Sequence, residues 1–378
     1  RDPEVRGLLD AQAAATRRFA TSQLNNFQQR LEQLHGARAG GGSRNGLAFA
    51  TRELCPDNRF HAPDSLCGTA SREERTAERF NGPYDDGGSM SGDTRTDTAQ
   101  PNGDRVGYWI GGTLRSGNFD GQAGGRGFDF ETEGVSAGAD IRVHSALVIG
   151  AGLGYGQDST SVGQNGSHLR GDARTLALYA SLQPGGTFFV DGVMGFQSLS
   201  YDVDRYVTAG GGMARGSRDG DQRLASVSVG TDLVRGQWQH TPYARVDAMR
   251  GTLDGYVEHG GGVNDLAYGE QDVDTTTGNV GLRSSFRRVT SWGAFAPQFR
   301  IEYQHDFDAE GTASMQYADL LGPVYVTGVR GYDRSRLMLG VGASFQFTGY
   351  SLQLDYRGVV GSGEQRDNAV QLMFRTGR

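Results

Sequence analysis

The stretch "RLMLGVGASFQFTGYSLQLDYRG", residues 336–358, decides the fold. Every second residue of its first half is apolar or small: Leu337, Leu339, Val341, Ala343, Phe345 and Phe347. Met338, Gly340, Gly342, Ser344 and Gln346 fall between them. After Thr348 and Gly349 the alternation resumes, with Leu352, Leu354 and Tyr356 opposing Gln353, Asp355 and Arg357. Successive side chains of a strand point to opposite faces, so a period of two marks a strand with one apolar face. Two such strands joined by two residues form a hairpin.

The same reading extends outward. In "FAPQFRIEYQHD", Phe295, Phe299, Ile301 and Tyr303 oppose Gln298, Arg300, Glu302 and Gln304. In "PYARVDAM", Val246 and Ala248 oppose Arg245 and Asp247; in "TLALYASL", Leu176, Leu178, Ala180 and Leu182 oppose Thr175, Ala177, Tyr179 and Ser181. Twelve strands are predicted, over 105–119, 128–142, 145–160, 169–182, 187–203, 221–235, 237–254, 273–288, 291–306, 335–347, 350–360 and 367–375. Most exceed the usual soluble strand of ~5–6 residues. Short joints ("VHS" 143–145, "QPGG" 183–186, "RG" 235–236, "RRVT" 287–290, "TG" 348–349) alternate with longer ones at 204–220, 255–272 and 307–334. A soluble sandwich would also alternate, but short turns on one rim and long loops on the other characterise an outer-membrane barrel. An even strand number closes the sheet and removes its edges. The expected fold is all-β and transmembrane: a 12-stranded antiparallel β-barrel over 105–378, with Arg245, Asp247, Arg300, Glu302, Asp355 and Arg357 lining the lumen.

Composition agrees. Sixty glycines in 378 residues are about twice the usual share and do not suit a helical bundle. The net charge of -7 and the scattered arginines argue against a nucleic-acid partner, which needs a basic stripe. No stretch approaches the ~20 apolar residues of a membrane-spanning helix. The opening "RDPEV" lacks a signal-peptide core. Two expectations fit that: a cytoplasmic protein, or the C-terminal piece of a longer precursor.

Residues 1–36 read as a helix. Asp2 and Pro3 form a capped start and Gly36 a stop. Leu24, Phe27, Leu31 and Leu34 recur at spacings of three and four, and amides fill much of the remainder. It reads as amphipathic, lying on a core or threaded through a wet tube. Residues 37–104 read as a Gly/Ser/Asp-rich linker holding both cysteines. With no CxxC and no paired histidines nearby they make a poor metal site. We expect a Cys55–Cys67 disulfide in an oxidising compartment, the alternative being two free buried thiols.

Helix, linker and twelve strands in this order resemble the C-terminal translocator β-domain of autotransporters, the type V secretion system. The parts that carry the resemblance are "FATSQLNNFQQRLEQLHG", "TPYARVDAMRGTLDGY", "APQFRIEYQHDFD", "SRLMLGVGASFQF" and "NAVQLMF". It implies a helix inside the barrel lumen, with Leu24, Phe27, Arg30, Leu31 and Leu34 on it, and the linker at the periplasmic rim. It implies export of an N-terminal passenger to the cell surface, insertion in outer-membrane lipid helped by barrel assembly machinery, and a monomer. Val370, Leu372 and Phe374 resemble the C-terminal assembly signal. The family usually ends on that aromatic residue, whereas Arg375–Arg378 follow here.

No cofactor, metal or external-substrate enzyme is expected: the chain has no phosphate loop, GxSxG or HExxH. Asn25-Asn26 resembles the pair that self-cleaving autotransporters cut by asparagine cyclisation. We expect a lumenal contact here rather than a cut. The "RGD" at Arg170–Asp172 reads as coincidence in so Gly-, Arg- and Asp-rich a chain. The competing readings are a passenger-less outer-membrane pore or barrel enzyme, and a soluble sandwich adhesin.

Overall fold

Twelve strands pair in chain order and the last pairs with the first. The computed structural model describes residues 2–35, 106–121, 124–308, 310–319, 322–330, 334–360 and 365–376. The strands are β1 (Val106–Phe119), β2 (Phe128–His144), β3 (Leu147–Val162), β4 (Ser167–Gly185), β5 (Phe188–Tyr206), β6 (Met213–Thr231), β7 (Trp238–Leu253), β8 (Gln271–Phe286), β9 (Gly293–Asp306), β10 (Ser335–Phe347), β11 (Tyr350–Val360) and β12 (Gln365–Thr376). Each pairs antiparallel with its neighbours, and β1 closes on β12 with Ile110 opposite Phe374 and Leu114 opposite Val370. Closure satisfies every ladder within the sheet, which the bilayer interior demands. Among the described residues no helix is long and apolar enough to cross a membrane.

The barrel is inside out. Leu153, Leu176 and Val280 on its outer surface are 65 %, 53 % and 64 % exposed, whereas Arg30 and Glu302 inside are 0 % exposed. At the short-turn rim an aromatic girdle marks the lipid–water boundary. It includes Trp238 against Phe286, Trp292 against Phe347, and Phe347 stacked on Tyr350 at 4.7 Å.

Several predicted boundaries are corrected. The stretch 204–220 is not a long loop. β5 continues to Tyr206 and β6 starts at Met213, pairing across that whole length. The outer face of this hairpin end stands in water and takes polar residues, while its buried inner face mixes Arg205 and Arg218 with Val207 and Ala214, so the apolar alternation vanishes. "RRVT" is not a turn: Arg288–Thr290 pair with Gly293–Phe295, and the chain reverses at Ser291-Trp292. The loops after β7 and β9 are not irregular. They contribute Tyr256–Val257, Leu266–Tyr268, Glu310–Tyr317 and Tyr325–Arg330 to a four-stranded cap. "RGD" lies within β4, its Arg170 and Asp172 facing outward. The linker 37–104 and the Cys55–Cys67 pair lie outside the described residues.

The helix α1 (Pro3–His35) runs through the barrel. Its start is capped as expected: the Glu4 backbone N–H donates to the Asp2 carboxylate at 2.9 Å. At 1.5 Å per residue it spans about 50 Å. It is not amphipathic in the ordinary sense, because residues on all its faces are buried by the encircling wall.

Candidate functional site

Among the described residues, most of the buried polar chemistry gathers in the lumen, with α1 in it. Strand alternation sends polar side chains inward, and the helix answers them residue by residue. At the top, by the long loops, Glu4 accepts hydrogen bonds from Asn165 at 2.8 Å and Ser167 at 2.6 Å. At the bottom, His35 lies 2.6 Å from Asp191 and stacks on Phe189. The helix N-terminus therefore faces the long-loop rim and its C-terminus the short-turn rim.

Between these ends the charges are matched. Arg18 meets Asp158 on β3 through the Nε–Nη2 edge of its guanidinium at 2.8–2.9 Å, with Thr132 and Thr160 as further acceptors. Arg18 also lies 4.1 Å from the centre of the Phe130 ring. Arg30 forks onto Asp140 on β2 at 2.7 and 2.8 Å. Glu32 takes Arg283 on β8 and Arg300 on β9, each at 2.5 Å. The helix thus turns Arg18 and Arg30 to the β2–β3 wall and Glu32 to the β8–β9 wall, while Arg17 donates to Thr275 on β8 at 3.0 Å.

The apolar residues of the helix gather in one cluster. Leu24, Phe27, Leu31 and Leu34 are buried with Trp109, Tyr179, Val193, Leu224 and Met373. The Phe27 ring meets Trp109 edge-on at 5.3 Å. Two glycines of β3 make room: a Cβ at Gly152 would lie 2.7 Å from the Phe27 ring, and one at Gly154 2.0 Å from the Gln23 amide.

The predicted lumen residues divide by role. Arg245 binds Glu302 at 3.0–3.1 Å and Asp247 at 2.8 Å within the wall. Asp247 also accepts from Gln28 at 2.9 Å. Asp355 accepts from Gln29, Gln298 and Gln353. Arg357 and Asn25 line a cavity of about 80 Å³ together with Arg245, Glu302 and Asp367. That is room for a few waters. Val370, Leu372 and Phe374 point outward from β12 to the lipid face.

Asn25 and Asn26 differ sharply. Asn26 is fully buried at the seam of closure: its amide donates to Ser136 at 2.8 Å, and its carbonyl oxygen accepts from Thr113 at 2.7 Å and Gln371 at 2.8 Å. Asn25 is half-buried and borders the cavity. Sequence reading did not single out Arg18, Glu32, Asp140, Asp158 or Asp191. The signal existed for the wall residues, since Asp158 shares the inward phase of "GAGLGYGQD" with Gly150, Gly152, Gly154 and Gly156.

The family model "Autotransporter beta-domain" matches residues 108–357. The protein YaiT of Salmonella typhimurium is 25 % identical over 250 residues, covering 65 % of this chain and 24 % of YaiT. Esterase EstA of Pseudomonas aeruginosa is 24 % identical over 218 residues, covering 55 % of this chain and 33 % of EstA. The chain spans about a quarter to a third of the length of these relatives. Among solved structures, the translocator domain of autotransporter NalP from Neisseria meningitidis superposes with a TM-score of 0.57 at 17 % identity, covering 74 % of this chain and 90 % of that one.

Proposed function

Because the chain belongs to the autotransporter β-domain family and forms an outer-membrane β-barrel, we propose that it exports and displays a passenger joined ahead of Asp2. The observation that carries this is the direction of α1. Its N-terminus opens at the rim that carries the long loops, beside Asn165 and Thr208. Anything joined there stands outside the cell. Its C-terminus rests at the short-turn rim, the side from which a barrel is built. Outer-membrane lipid meets the apolar band, barrel assembly machinery reads the last strand, and the barrel acts as a monomer.

A secreted epitope fused ahead of Asp2 tests this. We expect proteinase K added to intact cells to remove the epitope while the barrel stays folded. An epitope retained in the periplasm behind an inserted barrel would defeat the proposal.

The barrel keeps its passenger attached, in this reading, rather than cutting at Asn25-Asn26. Cyclisation needs the Asn25 side-chain nitrogen on its own carbonyl carbon, with a base free to take the amide proton. Residue 25 sits within the continuous helix Pro3–His35, whose hydrogen bonds hold that carbonyl. The nearest cavity carboxylates are committed to cations: Glu302 and Asp247 to Arg245, and Asp367 to Arg115. The membrane-held fragment of a complete precursor should keep residues before Asn25. An N-terminus at Asn26, lost in Asn25→Asp, would make the barrel self-processing.

A further inference from the structure

The outer wall of β3–β8 carries a depression that export does not use. Its upper part holds Arg174 on β4, Arg223 on β6 and Arg250 on β7. Beside and below them Leu153, Leu176 and Phe196, the last directly opposite Arg223 across the β5–β6 ladder, point into lipid. Arg223 and Arg250 are direct cross-strand partners, an arrangement that costs stability unless anions offset it. Arg250 has its anions, Asp308 at 3.3 Å and Asp274 at 3.7 Å. Arg174 and Arg223 have no hydrogen-bond or ion-pair partner among the described residues. Of the other acids in the depression, Asp272 accepts from Thr252 at 3.1 Å, and Asp221 has no hydrogen-bond or ion-pair partner among the described residues.

Directly beneath lies a second hollow, almost wholly apolar. Small residues floor it (Ala151, Ala180, Gly192 and Ala225), and Leu178 and Met194 wall it. Leu178 and Met194 are the next outward residues below Leu176 and Phe196 on the same strands, so the two hollows form one groove. It descends from unpaired guanidinium groups into the lipid-facing band.

We propose that this groove binds a phosphorylated glycolipid of the outer leaflet, of the lipid A class. Its phosphate lies between Arg174 and Arg223, and an acyl chain runs past Leu176 and Phe196 over the small-residue floor. Guanidinium groups suit phosphate because their planar donor forks match its oxygens. The apolar continuation selects a lipid over a free anion, which would occupy only the top of the groove. Asp221 opposes the phosphate and limits its affinity.

The test uses the purified chain in detergent micelles, with bound lipid counted by native mass spectrometry. The probes are diphosphorylated lipid A, dephosphorylated lipid A and inorganic phosphate. We expect saturable binding of one diphosphorylated molecule, weakened about tenfold or more in the Arg174→Gln/Arg223→Gln double variant. Removing the lipid phosphates should weaken it comparably. Asp221→Asn should tighten it. Arg215→Gln, which alters an arginine paired with Asp204 outside the groove, should leave it unchanged. Heat-modifiable migration on gels verifies that each variant is folded. Four results would overturn the site: wild-type affinity in the double variant; equal affinity for the dephosphorylated lipid, meaning apolar adhesion alone; displacement by millimolar inorganic phosphate, meaning a simple anion site; or a dimer that dissociates in the double variant, meaning that a second copy fills the groove.

Discussion

At the scale of single residues, the seat of the helix depends on what is missing as much as on what is present. Gly152 has no side chain where Phe27 lies. A Cβ there would also come within 2.8 Å of the Ala137 carbonyl oxygen, and backbone cannot swing aside. Gly152→Ala should therefore cost about 1–3 kcal/mol, read as a lower temperature for converting the compact gel band. Gly154→Ala should cost less, because its neighbour is the flexible end of Gln23. In a Phe27→Ala background the Gly152→Ala cost should shrink, since the two positions share a contact. An undiminished cost would place the clash elsewhere. Arg18 works by the opposite logic. Arg18→Ala strands Asp158 in a buried site and should cost about 3–5 kcal/mol. Replacing both by apolar residues should recover much of that. Equal loss in single and double variants would show that the ion pair itself, rather than the stranded charge, carries the stability.

At the scale of elements, the strands inside the membrane were legible and those outside were not. Between lipid and lumen, alternation is enforced on both faces, so "TLALYASL" and "YSLQLDYRG" place their residues correctly. Above the membrane the hairpin of β5 and β6 meets water on its outer face, and "ARGSRDG" reads as loop although it is strand. Alternation also tells which way Asp140 and Asp158 point but not that Arg30 and Arg18 await them more than 100 residues away in the chain. The cap was illegible for the same reason: its strands come from two separate loops. Its core is a stack of Tyr256 on Tyr268 at 4.6 Å, with Arg218 over Tyr256 and the Tyr268 hydroxyl donating to Glu258 at 3.1 Å. Burial pushes both phenols well above their ordinary value of about 10. A raised folded pKa means that the neutral form is favoured by folding. That contribution is complete below pH of about 10 and declines as pH rises further. Proteolytic nicking within Tyr325–Arg330 should stay flat up to that point and then rise. Tyr268→Phe, which cannot ionise there, should flatten the rise. A transition centred near neutrality would exclude the tyrosines as its cause.

At the scale of the whole molecule, the lumen and the helix form one seal with polar seams. The helix leans on β2–β5 and leaves its wet cavity toward the remaining wall, where Arg245, Glu302, Arg357 and Asp367 gather. A helix with its side chains is about 10–12 Å across, so deleting Asp2–His35 should open a continuous aqueous path. Conductance in planar bilayers should rise several-fold. The strand signal in circular dichroism should hardly change, because the ladders close without the helix, from β1 through β12 and back. The path would be two-sided in charge. Asp140 and Asp158 would lose Arg30 and Arg18 on one wall, and Arg283 and Arg300 would lose Glu32 on the other. Such a lumen should conduct small cations and anions with little preference, unlike a pore lined by one sign. Strong selectivity would mean that the wall rearranges once the helix is gone. Equal conductance with and without the helix would mean that α1 does not seal the barrel in a membrane, and the display proposed from its threading would lose its support.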